Sequence, residues 1–129
     1  MANQFVVQLK NQPGAMAILA EELASRGVDL RAIGGGGIGV SGHVIMTTAD
    51  DVTTKQVLDE GGYTYVEGES ILAEVDDKPG GMARIARKLA DAGVNIHGHL
   101  FLGRWGDRAM FAFVVDKPDV AKPILERKG

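Results

Sequence analysis

The fold turns on residues 5–30, "FVVQLKNQPGAMAILAEELASRGVDL", because the chain returns to the same text at residues 71–96, "ILAEVDDKPGGMARIARKLADAGVNI". At a constant shift of 66, Pro13 meets Pro79, Gly14 meets Gly80 and Met16 meets Met82. Leu23 then meets Leu89, Gly27 meets Gly93 and Val28 meets Val94, with no gap. A period of this size marks duplication of a small folding unit.

Each copy carries the same order of signals. Phe5, Val7 and Leu9 place apolar residues at every second position, as do Ile71, Ala73 and Val75, which predicts a half-buried strand. A Pro-Gly turn follows, with the proline expected in the first helical turn, where its missing N–H costs nothing. Met16, Leu19, Ala20 and Leu23 then form one helix face, repeated by Met82, Ile85, Ala86 and Leu89. Gly27 and Gly93 end these helices. Strand pairs are predicted next, around "GGGGIG" in the first copy and "RWGD" in the second. A second helix is expected at "DVTTKQVLDE", capped by Asp50 or Asp51, and strands at "YTYVEGESILAEV". The order strand, helix, strand, strand, helix, strand is the ferredoxin-like βαββαβ arrangement, an α+β fold. The second copy departs from it: "DKPDVAKPILERKG" leaves no residues for a final strand, and Pro123 is expected to interrupt the last helix.

Gly34, Gly36 and Gly39 also fit G-x-G-x-x-G, a pattern that can mark a dinucleotide site. Such a site needs a helix opening on the glycines, and here the strand "HVIMTT" follows. Under the shift of 66, residues 34–37 align with Leu100, Phe101, Leu102 and Gly103. The first copy thus replaces a bulky strand segment with glycine. Glycine in a strand suggests a close approach by something else: a ligand, a partner domain, or a loosened bulge.

Composition narrows the function. The chain has 129 residues, 14 Lys+Arg, 17 Asp+Glu and a net charge of −3. Mild acidity without a basic block argues against nucleic acid. No cysteine is present, which excludes disulfides and thiolate chemistry. No apolar run reaches the ~20 residues a membrane helix needs, and the start "MANQFVVQLK" does not read as a signal peptide, so no membrane association and a cytoplasmic location are expected. His97 and His99 share one face of a strand but lack a third ligand, so no metal is expected. Trp105 falls at a hairpin turn, where it could meet a partner or fold over its own sheet. No catalytic constellation is visible, and no cofactor is expected.

The segments "NQPGAM…SRGVDL" and "DKPGGM…DAGVNI" resemble the D/N-x-P-G-x-L … G-V-N-I signature of the ACT domain, in two tandem copies covering nearly the whole chain. The resemblance implies domains at residues 1–67 and 68–129, with their sheets paired side by side. It implies a non-catalytic regulatory protein that binds an amino acid or similar small metabolite and forms a homodimer or meets an enzyme of amino-acid metabolism. In architecture the chain is similar to the regulatory subunits of acetolactate synthase, which implies the alternative of a dedicated regulatory subunit with weak or no ligand binding. The family's binding positions carry over to two pseudo-equivalent sites. One comprises Asn11, Gln12, Pro13, Gly14, Ala15 and Met16 with Asn95 and Ile96. The other comprises Asp77, Gly80, Gly81 and Met82 with Asp29 and Leu30. The first pairs amides and the second pairs carboxylates, so the first is the better expected amino-acid site. The Pro-Gly loops are also sound turn chemistry with no ligand, and Asp29 and Asn95 also suit a helix-to-strand turn.

Overall fold

The computed structural model describes residues 3–126, which form two compact units with the boundary between Gly68 and Glu69. The first unit runs β1 (Asn3–Lys10), α1 (Ala15–Ser25), β2 (Leu30–Ile38), β3 (Ser41–Thr48), α2 (Asp51–Glu60) and β4 (Tyr65–Glu69). Its sheet has the order β2-β3-β1-β4, the ferredoxin-like arrangement. The second unit runs β5 (Ile71–Asp76), α3 (Gly81–Asp91), β6 (Ile96–Trp105), β7 (Arg108–Val115) and α4 (Pro118–Leu125), with the sheet order β5-β7-β6. Among the described residues no strand follows α4, so this sheet has three strands where the first has four.

The alternating residues build the cores. Phe5 and Val7 of β1 are fully buried with Leu19 and Leu23 of α1, Val44 and Met46 of β3, and Val57 and Leu58 of α2. Ile71, Ala73 and Val75 of β5 take the equivalent places with Ile85, Leu89, Phe113, Ala121 and Leu125. Both first helices end alike. Gly27 (φ 74°) donates to the Ala24 carbonyl and Val28 to Leu23; Gly93 (φ 74°) donates to Ala90 and Val94 to Leu89. This is the Schellman termination, with its apolar contact between Val28 and Leu23 in one core and between Val94 and Leu89 in the other.

Two helix expectations are corrected. Pro13 and Pro79 lie outside the first turns, one residue before the caps. Gly14 (φ 88°) and Gly80 (φ 90°) cap α1 and α3 in the left-handed region, which a proline cannot enter. Pro123 does not interrupt α4, which runs from Pro118 through Leu125. Proline removes one helical hydrogen bond, but Pro123 sits on the exposed side near the helix end while Ala121 and Leu125 anchor the buried side.

Candidate functional site

The site is built where α1 begins over the glycine end of β2. Residues paired directly across strands share a face. Val7, Val44 and Gly35 therefore form one row under α1, and Leu9, Gly42 and Gly37 form the next. Val7 and Val44 are valines with short side chains, and the β2 end of each row has no side chain at all. A groove of about 490 Å³ results, with Val44, Gly42 and the glycine strand as its floor. Leu9, Met16 and Ile33 stand at its sides, and Lys10, Asn11, Gln12 and Ala15 form the loop rim.

The glycines have separate reasons. A Cβ on Gly35 would run into the His43 carbonyl oxygen, so the strand geometry itself admits only glycine. A Cβ on Gly37 would lie 2.6 Å from the Asn11 amide, which therefore lies directly against Gly37. A Cβ on Gly36 would meet nothing within 4 Å. The glycines pair in continuous register from Gly34↔Ile45 to Gly37↔Gly42, so this segment is a regular strand and not a bulge. One approach that the glycines permit is thus by Asn11, from the chain's own loop.

Asn11 is positioned from two sides. Its backbone N–H donates to the Val40 carbonyl at 3.1 Å, and its side-chain Nδ2 donates to the Gly39 carbonyl at 2.9 Å. Because the Gly39 oxygen only accepts, the amide must present its NH₂ there, and Oδ1 is the acceptor that the loop offers. The Gln12 carbonyl accepts from Ala15 at 3.3 Å. α1 has no side-chain cap and no acidic residue in its first turn, so its N-terminal partial positive charge meets no carboxylate of its own helix. Met16, on the same apolar helix face as the buried Leu19 and Leu23, is 39% exposed and lines the groove.

The second unit treats the equivalent place differently. Asp77 donates its N–H to the Asp107 carbonyl at 2.8 Å, as Asn11 does to Val40, but its carboxylate accepts from Arg104 Nε at 2.8 Å. Phe101 lies edge-on to Phe111 with ring centroids 5.5 Å apart, and the Arg104 guanidinium lies over the Phe101 ring at 4.8 Å. Met82 packs against the core. Gly81 has no room for a Cβ beside the Asp76 carbonyl. The ladder also corrects the alignment of residues 34–37. Phe101 pairs with Phe111 and Gly103 with Met110, which leaves Leu102 as an inserted bulge residue. By ladder position Gly34 matches Leu100, Gly35 matches Phe101, Gly36 matches Gly103 and Gly37 matches Arg104.

The remaining expected residues sit at the other ends of their strands. Asp29 precedes β2, where its carbonyl accepts from Ala49 and its carboxylate pairs with Arg31 at 3.3 Å, both side chains exposed. Leu30 opposes Thr48 at the end of β2 far from the groove. Asn95 donates its N–H to Asp116 Oδ1 at 2.8 Å and accepts from the Asp116 N–H at 3.1 Å, which orders the turn before β6; Ile96, at the start of β6, packs against the core. Within each unit, therefore, the Pro-Gly loop and the Gly-Val turn are not brought together. Gly35, Gly37, Ile33, Gly42, His43 and Val44 are groove residues that the loop signature did not name. The glycine-for-bulk replacement was the signal that pointed to them. Among the described residues no group of three or more His, Asp or Glu is placed to hold a metal ion. Among the described residues no helix is long and apolar enough to cross a membrane.

No protein-family model and no curated protein sequence matches the chain. Solved structures do. A protein from Bacteroides thetaiotaomicron superposes with a TM-score of 0.71 at 18% identity, over 97% of this chain and 86% of that one. The regulatory subunit of aspartate kinase from Thermus flavus gives 0.64 at 16% identity, over 98% and 92%. Its counterpart from Thermus thermophilus gives 0.59 at 18%, over 97% and 89%. The aspartate kinase subunits are ACT-domain proteins, and the chain has their α+β fold in two tandem copies.

Proposed function

We propose that the chain is a non-catalytic regulatory protein that binds an amino acid or a similar small metabolite at the Pro-Gly loop of its first unit. The groove beside that loop carries the reading. Its volume of about 490 Å³ falls in the range of small-molecule sites, ~300–1,000 Å³. Its rim joins an uncapped helix N-terminus and Lys10, which suit an α-carboxylate, to Asn11 Oδ1, which suits an α-ammonium. The kinship of fold with aspartate kinase regulatory subunits supports a regulatory role. On this reading the two domains are residues 1–67 and 68–129, and the protein works as a homodimer or beside an enzyme of amino-acid metabolism. A ligand that prefers one state of the assembly shifts the equilibrium by its differential affinity.

Thermal unfolding against the twenty amino acids tests this. A ligand at a hundredfold excess over its Kd adds about 2.7 kcal/mol to the folded state and raises the melting temperature. No shift with any of them at millimolar concentration sinks the proposal. Affinity purification of the intact chain tests the output, with an enzyme of amino-acid metabolism as the expected companion.

A further inference from the structure

The two units hold the same groove in different states of filling. Across the sheet the first unit places Val7, Val44 and Gly35, and the second places Ala73, Phe111 and Phe101. In the next row Leu9, Gly42 and Gly37 stand where Val75, Ala109 and Arg104 stand. The second unit therefore lays two phenyl rings edge to face where the first has Val44 and bare backbone. Phe101 lies beneath the Arg104 guanidinium, which is itself paired to Asp77.

We propose that the groove of the first unit selects an amino acid with an aromatic side chain, the ring taking the place that Phe101 holds in the second unit. This rests on the reading that the first unit binds an amino acid. The floor favours a flat group. Without Cβ atoms at Gly35 and Gly37, and with the Asn11 amide laid against Gly37, the β2 end of the groove is backbone and planar amide. A ring meets such a surface over its whole face, whereas a branched aliphatic chain meets it only at its tips. Met16 and Ile33, 39% and 45% exposed, flank the slot; the thioether of Met16 makes favourable contacts at a ring edge. The amino and carboxylate groups reach the loop rim, where Asn11 Oδ1 accepts and α1 begins.

Calorimetric titration of the full chain with L-phenylalanine, L-leucine, L-alanine and L-serine reads the selection. Phenylalanine binding at least tenfold tighter than the other three is the expected result. Equal or tighter binding of leucine, alanine or serine overturns the aromatic selection while leaving the amino-acid reading standing. Binding of none of the twenty amino acids overturns both. Val44→Phe supplies the ring that Phe111 supplies in the second unit and should weaken phenylalanine binding at least tenfold. Ile33→Trp, at an exposed position, closes the slot from the other side and serves if Val44→Phe fails to fold by circular dichroism. Undiminished phenylalanine affinity in a folded slot-filling variant overturns the inference.

Discussion

At the scale of single residues, neighbouring glycines of one strand carry different loads. Gly35→Ala forces a methyl into the His43 carbonyl and should cost about 1–3 kcal/mol, the ordinary range for overpacking. Gly36→Ala meets open space and should leave the melting temperature within a degree or two of the parent, since surface changes of this kind stay within about 0.5 kcal/mol. Comparing the two melts checks the assignment, and equal losses would refute it. Tyr65 makes a second residue-level case. Its hydroxyl donates to Asp59 Oδ1 at 2.6 Å, and that bond, with smaller contributions from burial and from the Asp59 and Glu67 charges, pushes its pKa up to about 12. The folded pKa lies above the ordinary value of 10, so the bond stabilises the fold fully below pH 10. That contribution fades as pH rises toward 12. Tyr65→Phe should lower the melting temperature at pH 8 and flatten its decline between pH 10 and 12. An unchanged alkaline profile would rule the bond out as its source. Asp50 runs the other way. Thr53, through its hydroxyl and then its backbone N–H, holds the Asp50 carboxyl below the ordinary range. Its contribution is present above the unfolded carboxylate pKa of about 3.9 and is lost as pH falls through the lower folded value. Asp50→Ala should therefore destabilise at pH 7 and have little effect near pH 2, read by melting at both.

At the scale of elements, the two units solve one joint differently. Where β3 meets α2, the Asp50 N–H donates to Thr48 Oγ1, which lies 2.7 Å from Thr54 Oγ1, which in turn donates to the Asp50 carbonyl. With Thr54 committed as that donor, Thr48 must donate to Thr54, and the ring of bonds closes. The second unit has Val115 and Ala121 at these places, both buried. Thr54→Ala alone leaves the Thr48 hydroxyl without its partner and should cost about 1–3 kcal/mol. The pair Thr48→Val with Thr54→Ala reproduces the apolar joint and should cost less than the two single changes summed. A double-mutant cycle measures the difference, and strict additivity would show that the hydroxyls act separately. Joints like this one were outside the reach of sequence reading, because the pairing of Thr48 with Thr54 needs the strand and helix already docked. The elements themselves were legible: two copies of one pattern, with Pro-Gly entries and glycine exits, specify the order of strands and helices. The Pro positions misled because a left-handed Gly cap moves the helix start one residue later. The groove was half legible. The glycine run announced missing bulk, but the Leu102 bulge shifts the ladder, so only docked strands reveal that Gly37 answers to Arg104 and Gly35 to Phe101.

At the scale of the whole chain, duplication followed by divergence leaves one unit with a groove and the other with the same place filled. Chemistry separates them as much as space does. Asn11 keeps an amide oxygen at the rim of the first groove, whereas the Asp77 carboxylate of the second unit is already paired with Arg104. A ligand entering the second unit would have to displace the Phe101 ring and compete with that ion pair. An ion pair with Arg104 62% exposed and Asp77 31% exposed is worth at most about 1 kcal/mol, and the edge-to-face packing of the half-exposed Phe101 ring on Phe111 adds to it. Calorimetry on the intact chain should therefore give one amino acid per chain. Asn11→Ala should weaken binding at least tenfold, and Asp77→Ala should leave it within twofold of the parent. Two equivalents per chain, or a larger loss from Asp77→Ala than from Asn11→Ala, would reverse the ranking and move the binding role to the second unit.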